Sequence, residues 1–289
     1  MPRRIPKKLR RRIKTTLFTV CIWVLGIFWF APIFWMLSTS LKPTNTAVTE
    51  QIPHWIPQPF TVENFENVFQ AASGINVSRA LLNSLIVAIL ATIAGLVVAT
   101  PAAYALARLK FPGQKVIFWM YVAILAFPSV LFLVPNFYIV NRLGMMDSFA
   151  ALILPGLGGT FGVFLLRQYM LGVPREIEES ALIDGCNRFR ILISIVIPLI
   201  RPALVTLGLM TFLGSWNSFL WPLIVLTTSS KFTLPIALVR FSAGWGDPYR
   251  GIGTTMAAAF ISVAPVLIIF VLFYRYLIRG ISLGAIGKG

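Results

Sequence analysis

The chain has 289 residues, 57% of them hydrophobic and 12% charged, with 25 Lys and Arg against nine Asp and Glu, a net charge of +16. A mean hydropathy of +0.83 excludes an ordinary soluble domain, because apolar runs longer than about 18 residues, enough to cross a hydrocarbon core about 30 Å thick, recur along it. Nor does the charge point to nucleic acid: the Lys and Arg border the apolar runs and do not gather on a patch with aromatic platforms.

In chain order, a basic leader over residues 1–16 precedes six predicted spans, at 17–37, 84–107, 116–140, 149–170, 203–226 and 255–274. Continuous runs such as LIVAILATIAGLVVA at 85–99 lack the ten-residue alternation of a barrel strand. The fold class is therefore an all-α integral membrane protein, with main-chain hydrogen bonds closed inside each of six transmembrane helices. The first span is too long for a signal h-region and ends in no small-x-small cleavage site, so it is expected to remain as an anchor.

Lys and Arg number 19 on the side of the N-terminus and six on the other, a bias that predicts both termini in the cytoplasm. The same excess is drawn to anionic lipid headgroups. The expected organisation is a cytoplasmic N-terminus at 1–16, a membrane domain at 17–278 with a cytoplasmic loop at 171–202 and an outer loop at 227–250, and a cytoplasmic tail at 279–289.

Several function classes are missing their chemistry. No Gly-x-x-x-x-Gly-Lys-Ser/Thr loop occurs; the final GAIGKG carries Gly where the hydroxyl belongs. The span centres hold no Asp, Glu, His or Arg of the kind that ion-coupled carriers use. The acids Glu50, Glu63, Glu66, Asp147 and Asp247 are scattered, and the lone His54 sits in an outer loop. No catalytic residue, metal site or resident cofactor is expected. Cys21 lies in a span and Cys186 in the inner loop, so neither a disulfide nor a zinc site is expected.

Four of the nine acids fall in EIEESALIDGCNRFR at 176–190. Pro174 suits a helix start, and Glu176, Glu178 and Glu179 suit its positive end. Ile177 and Ala181 share a face with Leu182 beside them, which predicts a short amphipathic helix too charged to cross the bilayer. Asp184-Gly185 stops it. A second helical stretch over 188–197 opens on Arg188, Phe189 and Arg190 and turns apolar before Pro198. On physics alone an ordinary surface loop with interfacial helices fits as well as a docking knob.

The order Glu179-Ser180-Ala181, then Asp184-Gly185, then Ile195, Pro198-Leu199 and Pro202 resembles the EAA loop of permease subunits in binding-protein-dependent ABC importers. Ser180 stands where that pattern has Ala, and Cys186 where a small Ala is common. Segments STSLKP, HWIPQPFTVENFENVF, FPSVLFLVPNFYIVNRLGMMDSFAALILP, WNSFLWPLIV, FTLPIAL and YRYLIRGISLGAIGKG are similar to the carbohydrate-importing branch and, within it, to the smaller, maltose-type permease subunit.

The resemblance implies a non-catalytic subunit of a bacterial inner-membrane importer. Its partners would be a second, homologous permease, two ATPase subunits that carry the ATP and Mg, and an extracytoplasmic solute-binding protein. Glu178, Glu179, Ala181, Asp184, Gly185, Arg188 and Pro198 would couple to the ATPase. Gly280, Ser282, Gly284 and Gly287 would enter the ATPase interface, and Gly244, Trp245, Gly246 and Asp247 would meet the binding protein. The solute would be a sugar or oligosaccharide, with a polyol, glycerophosphodiester or compatible solute as the alternative, and a self-standing channel or carrier as a distant one.

A path for a neutral polar solute needs amides, hydroxyls and aromatic faces. Candidates are Ser215, Trp216, Asn217 and Trp221 at the outer end of the fifth span, Asn83 and Ser84 on the second, and Asn136 and Tyr138 on the third. The same residues also fit an interfacial aromatic belt and interhelical hydrogen bonding. Pro128, Pro135 and Pro155 are expected to kink their helices.

Overall fold

The computed structural model describes residues 7–43, 54–70, 75–243 and 251–286. Among them every regular element is helical. The chain divides into two compact units, Met1–Gly74 with Phe241–Val263, and Ile75–Arg240 with Ala264–Gly289.

In the first unit, α1 (Lys7–Ser40) is followed by the short α2 (Glu63–Phe69). Beyond α1 the chain is held by polar groups that point inward. Lys42 is 1% exposed; its Nζ donates to the His54 carbonyl at 2.6 Å and lies 5.3 Å from the centre of the Trp35 ring. Asn64 Nδ2 donates to the carbonyls of Ser40 and Lys42 at 3.0 and 2.7 Å, while its Oδ1 accepts from the Thr254 hydroxyl at 3.0 Å. A Cβ on Gly253 would fall 2.7 Å from Asn64 Nδ2, so glycine is required for this approach.

The second unit is built around α3 (Val77–Arg108). It continues through α4 (Gln114–Leu125), α5 (Leu133–Arg142), α6 (Phe149–Ile153) and α7 (Thr160–Leu171). Then come α8 (Arg175–Ile183), α9 (Arg188–Leu199), α10 (Arg201–Trp216) and α11 (Leu220–Val225). Helices α12 (Leu234–Ala243) and α13 (Ile252–Ile286) each have residues in both units. Helix α3 packs along α7 and α10. Small residues let the three backbones close up, as in membrane helix bundles generally: a Cβ on Gly162 of α7 would sit 3.1 Å from Leu207 and 3.5 Å from Ala99.

Among the described residues three helices are long and apolar enough to cross a membrane, Ile13–Ser40, Val77–Arg108 and Ile252–Tyr274, and they coincide with the first, second and last predicted spans. At 32 residues α3 is about 48 Å long, so it projects well past a 30 Å core.

The middle spans differ from expectation. The third breaks between Gln114–Leu125 and Ser129–Arg142, which diverge by 105°; Pro128 lies at the break, and a residue before proline avoids the helical conformation. Pro135 sits in the first turn of α5, where its missing N–H costs nothing, so it starts a helix and does not kink one. Pro155 lies in the 3₁₀ turn Leu154–Gly156, where the fourth span bends by 43°. The predicted fifth span is helical to Trp216 and restarts as α11, and α9 meets α10 at 82°. With each bent pair taken as one crossing, the spans among the described residues number up to six. Helix α13 runs on through Gly280 and Gly284 to Ile286.

Candidate functional site

The 175–200 segment folds by local rules. Pro174, at φ −57° and ψ 133°, precedes α8, and Glu176 and Glu178 occupy its first turn. The helix ends where Gly185 adopts φ +81°. There the Gly185 N–H donates to Leu182 O at 3.1 Å and the Cys186 N–H to Ala181 O at 3.0 Å, the paired bonds of a Schellman cap. Asn187 starts the next helix by accepting from the Arg190 N–H at 2.8 Å. Helix α9 then widens to a π-helical turn over Leu192–Val196, and Pro198 is exposed near its end.

Tertiary contacts decide which way α8 faces. Glu178 is 3% exposed and Ala181 6%. Glu178 Oε1 lies 2.7 Å from Arg108 Nε; the two meet as charges without hydrogen-bond alignment. Glu178 Oε2 accepts from the Tyr104 hydroxyl at 3.0 Å. Arg108 Nη2 donates to the carbonyls of Met170, at 2.6 Å, and Val173. One arginine thus ties the end of α3 to the loop before α8 and to α8 itself. The expected apolar face is corrected here: Ile177 is half-exposed and Ile183 is 87% exposed, while an acid points inward because a buried cation neutralises it.

Glu179, Asp184, Gly185 and Arg188 are exposed, as is Phe189 at 70%. The outer side of the knob therefore presents Ile177, Ile183 and Phe189 among polar residues. Its inner side faces an open cleft of about 640 Å³ between the segment Arg108 to Phe111 and the Arg175, Glu178, Glu179 and Leu182 face of α8, with Arg188 beside it.

The path candidates divide. Asn83 is buried and donates to the carbonyls of Ser230 and Phe232 at 2.9 and 3.0 Å; the Ser84 hydroxyl accepts from the Leu234 N–H at 2.7 Å. Both hold the segment before α12 against α3. Trp216 is buried with its ring stacked on Phe212 at 5.9 Å. Asn217 is exposed and donates to Leu213 O. Tyr138 accepts from Arg142 Nε at 3.0 Å, and Asn136 is half-buried on the same helix. Ser215 and Trp221 do meet, in a pocket of about 220 Å³ that Thr211, Ser218 and Thr233 also line. Trp221 Nε1 donates to Ala151 O at 2.8 Å, and the Thr233 hydroxyl is buried without a partner.

Gly280, Ser282 and Gly284 lie on α13. Gly287, Gly244, Trp245, Gly246 and Asp247 lie outside the described residues. Sequence reasoning missed three groups. Arg108 registered only as a topological charge, and Tyr104 as apolar span. Asn187 was legible, since Asn before a helical run is a standard N-cap.

Between α5 and α6, Asp147 has φ +54°. Its carboxylate accepts from the Thr227 and Thr228 amides, the Thr228 hydroxyl and Lys231 Nζ. Foremost the Thr228 hydroxyl, then these amides and Lys231, hold its carboxyl well below the usual carboxylate range.

This arrangement of helices is the fold of an ABC-importer permease. It superposes on a chain from the crystal structure of a bacterial ABC transporter involved in the import of the acidic polysaccharide alginate, with a TM-score of 0.81 and 21% identity over 94% of this chain and 98% of that one. The pattern of binding-protein-dependent transport system inner membrane components matches residues 91–283, and the chain belongs to that family. It is 33% identical over 287 residues to the arabinooligosaccharides transport system permease protein AraQ of Bacillus subtilis (strain 168), covering 99% of both chains. It is 31% identical to the trehalose transport system permease protein SugB of Mycobacterium tuberculosis (strain CDC 1551 / Oshkosh), over 88% of this chain and 91% of that one.

Proposed function

We propose that this chain is a non-catalytic membrane subunit of an ATP-driven importer for a sugar or oligosaccharide. It would lie in the bacterial inner membrane with both termini in the cytoplasm and pair with a second, homologous permease. Two ATPase subunits would supply ATP and Mg, and an extracytoplasmic binding protein would deliver the solute. The end-to-end likeness to a permease named for arabinooligosaccharides supports the substrate class.

The observation that carries the coupling role is the two-sidedness of α8. Glu178 and Ala181 fix it to the membrane domain, while Ile177 and Ile183 stand outward. An exposed apolar side chain at 87% on a short charged helix suits burial in a partner. In this reading Glu178 braces the helix, and Glu179, Asp184 and Arg188 set its register in the ATPase. ATP-driven closure of two ATPases would push α8, and through Arg108 the end of α3, opening the path outward. Pro198 would stiffen the return to α10. Gly280 to Gly287 would reach between the ATPases, and Gly244 to Asp247 would meet the binding protein.

The test is affinity purification from the native membrane in mild detergent, with mass spectrometry and an ATPase assay. A second permease, an ATPase and stimulation by a sugar-loaded binding protein are the expected result. Recovery of the chain alone, without ATPase activity after crosslinking at Cys186, would refute the reading.

A further inference from the structure

The cleft on the inner side of α8 holds two cations, Lys110 and Arg175, that have no part in the coupling role, and it shares Arg188 with that role. Arg108 and Glu178 neutralise each other across 2.7 Å. That leaves Lys110, Arg175 and Arg188 facing about 640 Å³ of open space, with Glu179 as the remaining acid. Among the described residues no carboxylate stands within ion-pair distance of these three cations. Leu109, Phe111 and Leu182 complete the wall. Helix α3, long and apolar enough to cross a membrane, ends at Arg108, and the cleft opens directly beside that end.

Cations without a carboxylate partner, set around an apolar wall at the end of a membrane-crossing helix, match one chemistry, a phosphate carried on an apolar body. We propose that the cleft binds the phosphate of an anionic phospholipid, with Lys110, Arg175 and Arg188 around the phosphate and Leu109, Phe111 and Leu182 against the acyl end. Basic pockets beside membrane helices on the cytoplasmic side hold lipid headgroups in this way. A neutral zwitterionic lipid gains less, because its own cation faces the same three. The bound lipid bridges the end of α3 to α8 and so stiffens the joint between span and knob. The site shares with the proposed function the placing of α8 at the inner surface, and its readout is lipid binding, which is measured without uptake.

The experiment uses the complex as purified, delipidated in a non-ionic detergent and titrated with phosphatidylglycerol, phosphatidylcholine or inorganic phosphate while native mass spectrometry counts bound molecules. Phosphatidylglycerol is expected to be retained in preference to phosphatidylcholine, and less so as salt rises. The triple variant Lys110→Gln, Arg175→Gln, Arg188→Gln should weaken binding on the order of a hundredfold, and each single change roughly fivefold. Arg190→Gln, which removes a cation outside the cleft lining, should leave it unchanged. Lys110→Arg should bind as the natural chain does, which separates lost charge from a damaged fold.

Equal retention of phosphatidylglycerol by the triple variant overturns the proposal, as does equal retention of the two lipids. Inorganic phosphate that binds alone, displaces phosphatidylglycerol and is lost in the triple variant assigns the same cations to a soluble anion and overturns the lipid source. Crosslinking of Lys110 to an acidic side chain of a partner subunit in the intact complex also overturns it.

Discussion

Glu178 Oε1 lies 2.7 Å from Arg108 Nε, with both side chains 4% exposed. Removing one partner of a buried pair leaves the other charge without compensation, at about 3–5 kcal/mol. Glu178→Leu alone, or Arg108→Met alone, should therefore lower the thermal stability of the purified protein sharply. Arg108→Met combined with Glu178→Leu should recover much of the loss, because the desolvated charge is then gone. Differential scanning fluorimetry of the two single variants and the double closes the cycle. Additive losses would show that the pair is not coupled.

Gly185 tests a different kind of effect. Its φ is +81°, yet a Cβ there would meet nothing within 4 Å, so a substitution is penalised by backbone conformation and not by a clash. A residue other than glycine costs roughly 1–2 kcal/mol in the left-handed region, with Asn tolerated best. Gly185→Val should abolish uptake while membrane insertion persists, and Gly185→Asn should retain most of it. Radiolabelled solute uptake in whole cells distinguishes them, and equal activity of both would separate the turn from coupling.

Ile183, 87% exposed, supports nothing within the chain. Ile183→Glu should leave the melting temperature within a degree or so, since exposed substitutions usually stay within about 0.5 kcal/mol, and should strip the ATPase from the complex. Pull-down yield against thermal stability reads the two effects apart. A destabilised chain that still holds its ATPase would invert the assignment of faces on α8.

Asp147 makes the contact between its own loop and the Thr227–Lys231 segment pH-sensitive in one direction. Its folded pKa is depressed by the Thr228 hydroxyl, the Thr228 and Thr227 amides and Lys231. The stabilisation is in place above the unfolded value of about 4 and is lost as pH falls through the lower folded value. Protection of the Thr227 and Thr228 amides, measured as exchange relative to the intrinsic rate at each pH, should be high at neutral pH and fall in strong acid. In Asp147→Asn it should be low throughout. Protection in the natural chain that ignores acid would refute the latch.

Asn83 closes a contact that spans 147 and 149 residues of sequence, to Ser230 and Phe232. Asn83→Leu leaves two carbonyls without their donor, at about 1–3 kcal/mol for each that stays buried. Limited proteolysis after Ser230 should speed up in this variant, and an unchanged cleavage rate would show that the segment is held by other contacts.

Much of the chain was legible one residue at a time. Hydropathy marked 17–37, 84–107 and 255–274 because a long apolar run in lipid has to close its hydrogen bonds on itself as a helix. Pro174, Asp184 and Gly185 marked the ends of α8 because capping depends on neighbours three or four positions away. Tertiary structure decided the rest. The turn at Pro128 opens to 105°, Asn83 straps the segment before α12 to α3, and Glu178 points in while Ile183 points out. Periodicity assigns a face only when one side of a helix is apolar and the other polar. In a span both sides are apolar, and on α8 the deciding charge, Arg108, comes from a helix that ends 67 residues earlier than α8 begins, beyond the reach of any local pattern.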